Sequence, residues 1–244
     1  MNTTKRKADE ASGLLPLPNP APRDLGALSD LIIVVGILVA VKQGLLLFTQ
    51  LYAGPASTLT AMVAATWLLR RRSQRWSDLG LRWPEKWGVT LGLSVLTFAV
   101  IIMISGVMGE VADLIAEDVG TSGRFAHVEG NLGAYLLMLV LVWTHGSFFE
   151  ELLFRAFIIT KISVLLGGNK KADVIAVLIA SVFFGYRHVY YQGLNGGLVT
   201  GSIGLGLGLL YIWFGRSNIM PLILAHGAIN SLGMTMRYLG ITGD

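Results

Sequence analysis

Apolar residues in this chain do not alternate with polar ones; they run in blocks. Seven blocks, at 31–53, 56–69, 87–109, 132–164, 174–191, 195–214 and 219–239, are divided by short stretches that hold most of the charge. A helix needs roughly 20 apolar residues to cross the hydrocarbon of a bilayer, so the pattern predicts an all-α polytopic bundle of about seven transmembrane helices. Block 56–69 is short, and its Trp67-Leu68-Leu69-Arg70 end is expected to gain reach by arginine snorkelling. Block 132–164 exceeds one simple span, which predicts that its C-terminal part projects from the bilayer or bends. Residues 1–30 read as a disordered Pro-rich N-terminal tail with Pro16, Pro18, Pro20 and Pro22 and mutually cancelling charges, Asp30 among them. No apolar stretch directly follows Lys5-Arg6-Lys7, so this is not read as a secretory signal. Residues 31–244 are expected to form a single membrane domain.

Composition agrees with the blocks. Of 244 residues, 53% are hydrophobic and only 14% charged, against about 25% charged in an ordinary soluble domain. With no cysteine, a disulfide scaffold, a Cys-ligated metal and a Cys nucleophile are all excluded. The net charge of +4 sits beside apolar blocks, which speaks of membrane topology and not of nucleic acid. Residues 70–86 carry Arg70, Arg71, Arg72, Arg75, Arg82 and Lys86 with Trp76, Trp83 and, just beyond, Trp87, an interfacial segment assigned to the cytosolic side. Residues 110–131 carry Glu110, Asp113, Glu117, Asp118 and Glu129 with Arg124 and are assigned outside. Lys161, Lys170, Lys171 and Arg216 return to the cytosol, which puts the N-terminus in and the C-terminus out, against the sign of Arg237. In 196–210, the pairs Gly197/Gly201 and Gly204/Gly208 expose bare backbone for close helix packing.

Charges inside the blocks are candidates for function, because each costs about 2.5–3.5 kcal/mol to insert. Glu150, Glu151 and Arg155 form the densest set. Glu151 and Arg155, four apart, share a helix face and can pair, while Glu150 lies about 100° round and faces something else. Phe184/His188 and His226/Asn230 are further pairs at the same spacing. Carboxylate, imidazole and amide together suit proton transfer and oxyanion binding, although a buried polar clasp holding the helices would use the same residues. His145 is read as packing or interfacial, His127 as solvated, and Lys42 and Gln43 as snorkelling or polar packing. Arg187 is expected to pair with an acid of 110–131 or with a lipid.

Glu150-Glu151-xxx-Arg155, Phe184-xxx-His188 and His226-xxx-Asn230, in this order on successive blocks, resemble the three motifs of the CPBP family. These are CAAX proteases and bacteriocin-processing enzymes related to the Ras-converting CAAX endopeptidase. Asp78-Leu79-Gly80-Leu81-Arg82 also looks typical, and the resemblance spans roughly 55–240. It implies a multi-pass intramembrane endopeptidase, expected in the cytoplasmic (inner) membrane, acting on a membrane-associated or lipidated peptide or protein. Catalytic roles carried over by the motifs are Glu150 as general base, His188 as its partner in holding water, and His226 and Asn230 as oxyanion donors; Glu151, Arg155 and Phe184 support them. No cofactor is implied. The alternative is zinc held by Glu150, His188 and His226, with Glu151 as a further ligand, although no HExxH is present. A cavity opening to the cytosol is expected. Two other classes stay open: a non-catalytic membrane scaffold with the same fold, and a small transporter, which lacks the expected paired halves.

Overall fold

A computed structural model describes residues 25–119 and 122–241. Described residues form helices and turns, with no strand among them. The helices are α1 (Leu25–Leu46), α2 (Gln50–Arg71), α3 (Trp87–Asp113), α4 (Leu132–Leu165), α5 (Lys170–Trp213) and α6 (Met220–Tyr238). Three start on side-chain caps that satisfy an orphan backbone N–H: Thr49 accepts from Tyr52 N at 3.4 Å, Asn131 from Ala134 N at 3.1 Å and Asn169 from Ala172 N at 3.0 Å.

Helix α1 begins at Leu25, inside the stretch read as tail; residues 1–24 of that expected tail lie outside the described residues. Asp30 is wholly buried and its Oδ2 accepts from Arg72 Nε at 2.6 Å and Lys161 Nζ at 2.9 Å. An acid with two cationic partners belongs to the folded bundle, which corrects the tail boundary and also places Lys161 inside. Block 31–53 is really the end of α1 plus the start of α2, parted by a turn at 47–49. Pro55, which made block 56–69 look short, sits within α2. A proline leaves the carbonyl four residues back without its helical donor, and that carbonyl, Leu51 O, accepts from Arg124 Nη2 at 3.1 Å.

The long fourth block is one unbroken helix. Helix α4 continues through π-helical turns at Thr144–Phe149 and Glu151–Ile159. Its stretch Leu152–Ile159 is buried and forms the centre of the core, packed by α2, α5 and Trp76. Helix α5 holds two apolar blocks and reverses at Gly193, whose φ of 66° and ψ of −174° are not helical. The arms 170–192 and 194–213 lie antiparallel. A Cβ on Gly185 would come within 2.5 Å of Gly197 O and 2.9 Å of Gly201 Cα, and one on Gly208 within 2.7 Å of Val177 Cγ1. The expected glycine packing is therefore observed, and it joins the two arms of one hairpin.

Acidic and basic segments lie at opposite ends. At one, Gly80 turns with φ 94°, Leu79 O accepts from Tyr211 OH at 2.9 Å, and Gly80 O accepts from Ile219 N at 2.9 Å. At the other, Asn195 Nδ2 donates to Asp113 Oδ1 at 2.6 Å and Gly130 N to Tyr238 O at 3.0 Å. Four helices (α1, α3, α4 and α5) are long and apolar enough to cross a membrane, so the count of about seven is not reached by this measure. The apolar residues that face outward from α3, such as Val95 and Met103, mark the surface of an integral membrane protein.

Candidate active site

The polar residues of three helices meet at one cavity of about 620 Å³. Its wall includes His145, Gly146 and Glu150 of α4, Phe184 and His188 of α5, and His226 and Asn230 of α6. Glu150 is buried, yet its side chain reaches this space. Hydrogen bonding from i to i+5 widens a helix and stacks residues five apart, and such turns often mark functional sites. Here it brings His145 Nε2 to 3.7 Å from Glu150 Oε1. Five-residue spacing brings no two side chains together on an ordinary helix and fits no HExxH, so the sequence alone reads His145 as packing or interfacial. No other signal in the sequence points to it.

Glu151 faces away from the cavity, as its four-residue spacing from Arg155 predicts. Its Oε1 lies 3.1 Å from Arg155 Nη1, and it also accepts from His226 Nδ1 at 2.7 Å. The pairing with His226 was not foreseen. It ties α6 to α4 and leaves His226 Nε2 as the nitrogen without that contact. His188 is oriented in the same manner: its Nδ1–H donates to Phe184 O at 2.7 Å, within its own helix. A carboxylate or carbonyl that takes one ring proton fixes the tautomer and presents the other nitrogen. Phe184 separates the two imidazoles, with ring centroids 4.7 Å from His188 and 6.5 Å from His226, while Arg155 Cζ lies 4.4 Å from its ring. Asn230 Nδ2 donates one hydrogen to Gly146 O at 3.1 Å, and the amide holds a second.

Two buried cations lie near the site. Of the two roles expected for Lys42, snorkelling or polar packing, the second is observed: it is 3% exposed, donates to Arg187 O and lies 3.9 Å from the Tyr190 ring. Arg187 finds neither an acid of 110–131 nor a surface position. It donates to Leu38 O at 2.9 Å, Ser57 Oγ at 3.1 Å and Thr58 Oγ1 at 3.2 Å, binding α1 and α2 to α5 one residue before His188. His127 is exposed, as expected.

From Glu150 the cavity extends to Asp113, Asp118, Arg124 and Arg237, at the end that carries the acidic segment. Toward the basic end the path is filled by Leu152–Ile159 and closed by Asp30, Arg72 and Lys161. Among the described residues no three His, Asp or Glu side chains gather as a group able to hold a metal ion. Glu150, His188 and His226 thus line one space without forming a ligand cage.

Residues 132–232 match the family described as type II CAAX prenyl endopeptidase, Rce1-like. All three motifs fall in this stretch, so the resemblance read from the sequence is borne out there. No curated protein and no solved structure matches the chain.

Proposed function

We propose that the protein is an intramembrane endopeptidase in which Glu150 activates water against a peptide bond. The observation that supports this best is the placement of Glu150: a buried carboxylate lining one cavity with His188, His226 and Asn230. Its substrate is a membrane-associated or lipidated peptide or protein. The fold is read as seven membrane-crossing segments, with the hairpin arms of α5 counted separately, in a cytoplasmic (inner) membrane.

With Nδ1–H committed to Phe184 O, His188 Nε2 carries a lone pair and accepts one hydrogen of a water. Glu150 takes the other proton as the water oxygen attacks the scissile carbonyl. The tetrahedral oxygen gains negative charge, and the remaining N–H of Asn230 points to it as a donor. His226 has an N–H at Nε2 for the same oxygen only when doubly protonated, and the Glu151 carboxylate at 2.7 Å supplies the counter-charge that form needs. Collapse of the intermediate breaks the C–N bond, and Glu150 returns its proton to the leaving amine. Every proton is accounted for by water, Glu150 and product, and the scheme routes no step through a metal.

The test compares purified wild type, Glu150→Gln and His188→Ala on farnesylated CAAX peptides and on membrane peptides, read by mass spectrometry. Cleavage by wild type, lost in both variants, is the expected result; equal turnover in all three overturns the glutamate mechanism. Repeating the assay after chelation and after adding zinc separates the two enzyme readings, since only the zinc variant depends on either treatment.

A further inference from the structure

At the end of the bundle away from the cavity lies a second cleft of about 530 Å³, walled by Thr66, Leu69, Arg70, Gln74, Arg75 and Trp76, with Ser73 at its lip. It is notched between the last turn of α2 and the 3-10 turn Trp76–Leu79. Its walls are held in place. Trp76 Nε1 donates to Thr66 Oγ1 at 3.0 Å, the Trp76 ring lies 6.3 Å from that of Phe157, and Gln74 Oε1 accepts from Lys161 at 3.1 Å. A helix C-terminus ordinarily repels anions. Here three of its last four carbonyls, those of Leu68, Leu69 and Arg70, are already taken by Arg72 N, Ser73 N and Gln74 N.

The cleft carries an excess of positive charge: the Asp78 carboxylate accepts from Arg75 N at 2.8 Å, and arginines outnumber it. Arg72 pairs with Asp30, but Arg70, Arg71 and Arg75 are exposed and form no ion pair with a carboxylate among the described residues. An apolar track leads up to them. Leu59, Val63 and Trp67 succeed one another at four-residue spacing on α2, so they share one face, and they are 52%, 64% and 55% exposed. Arg71 Cζ lies 5.4 Å from the Trp67 ring, at the level where that track gives way to arginines. Trp83 and Trp87, 79% and 40% exposed, extend the aromatic band that marks a membrane–water interface. Apolar stripe, aromatic collar and cationic notch follow one another in the order of a phospholipid's chain, glycerol and phosphate.

We propose that this cleft binds the headgroup of an anionic glycerophospholipid, with Arg70 and Arg75 on the phosphate and an acyl chain along Leu59, Val63 and Trp67. The site is independent of the proteolytic reading and does not require turnover. Basic pockets beside membrane helices recognise such lipids, at about fivefold in affinity per cation.

Native mass spectrometry of the detergent-solubilised full chain tests it, with phosphatidylglycerol, phosphatidylcholine and inorganic phosphate as probes. Wild type is expected to retain phosphatidylglycerol over phosphatidylcholine. R70A/R75A is expected to lose about 25-fold of that affinity, whereas R82A/K86A, which removes equal charge from the same segment, keeps it. R70K/R75K, which preserves charge, retains binding and guards against misfolding of the alanine variant. Equal retention of both lipids by wild type overturns the proposal. So does equal loss in the two alanine pairs, which indicates a diffuse field, and so does loss in R70K/R75K as large as in R70A/R75A. Full displacement of phosphatidylglycerol by inorganic phosphate at the same concentration replaces the lipid by a free anion and overturns it as well.

Discussion

Helix α4 carries a buried charged cluster near each end of its π-helical stretch, and the two are built to different rules. Around Lys161, one carboxylate oxygen of Asp30 takes both Lys161 and Arg72, and Gln74 takes another hydrogen of the lysine. Three elements are locked, and Asp30, Arg72 and Lys161 line neither cavity; of this group Gln74 alone borders the second cleft. Around Glu150, valences are left over. His145 Nδ1, Glu151 Oε2 and Arg155 Nη2 are buried without a hydrogen-bond partner among the described residues, against Asp30 Oδ1 alone in the first cluster, and Glu150 itself reaches the cavity with His145 Nε2 no closer than 3.7 Å. Buried polar atoms are normally satisfied, and exceptions ask for an explanation. Charges that close on each other hold a fold together; a carboxylate that stays open beside a cavity, as Glu150 does, is available to a ligand and to protons.

The sharpest way to break this contrast is to neutralise one carboxylate in each cluster. Glu150→Gln keeps shape and hydrogen bonding but removes the basic oxygen. Turnover is expected to fall by about 10³–10⁴, with the thermal midpoint in detergent unchanged or raised, because a desolvated charge has gone. A variant with full turnover places the base elsewhere. Asn230→Ala comes next. It removes the remaining amide donor and the tie to Gly146 O, and about 10²–10³ in kcat is expected to go with it. A change confined to KM points instead to a role in substrate binding.

Asp30→Asn has the opposite signature. It leaves Lys161 buried and Arg72 partly buried without a full counter-charge, which costs several kcal/mol for a fully buried pair. Because the Arg72 side chain keeps 35% of its surface in solvent, about 3 kcal/mol is the better figure. Thermal unfolding in detergent detects it as a lower midpoint, while turnover per folded molecule stays at the wild-type value. Adding Lys161→Met to Asp30→Asn should recover part of the loss.

How much of this was legible beforehand depends on distance along the chain. Spacing of four residues announced the Glu151–Arg155 pair, and apolar blocks announced the helices. The three motif sets now line or support one cavity. Partners brought together by tertiary packing were not legible: Asp30 looked like tail because its cations lie 42 and 131 residues away, and Arg187 was matched to an acid of 110–131 or a lipid because its real partners, Leu38, Ser57 and Thr58, are on other helices. His145 was hidden for a different reason. Its pairing with Glu150 exists only on a helix wound more widely than 3.6 residues per turn, and no periodicity count reveals that winding. Which end of the bundle the cavity reaches was not legible either, since charge in the loops says nothing about which end the core fills.

The smallest effect tests whether the α5 hairpin belongs to the locked part of the molecule or to the open part. Gly185 stands on the same arm as Phe184 and His188, and a Cβ there would meet Gly197 O at 2.5 Å and Gly201 Cα at 2.9 Å. Both are backbone atoms, so the arms must separate. Overpacking of this kind costs about 1–3 kcal/mol. Gly92→Ala on α3 is the control, since nothing lies within 4 Å of its Cβ position, and alanine there favours the helix by up to about 1 kcal/mol. Gly185→Ala should therefore lower the thermal midpoint where Gly92→Ala leaves or raises it. If the hairpin also sets the imidazole, Gly185→Ala loses turnover in the molecules that remain folded, because a shift of the arm moves His188 Nε2 relative to Glu150. Turnover per folded molecule equal to wild type would show that the glycine seam only stabilises, and that His188 is positioned by its bond to Phe184 O alone.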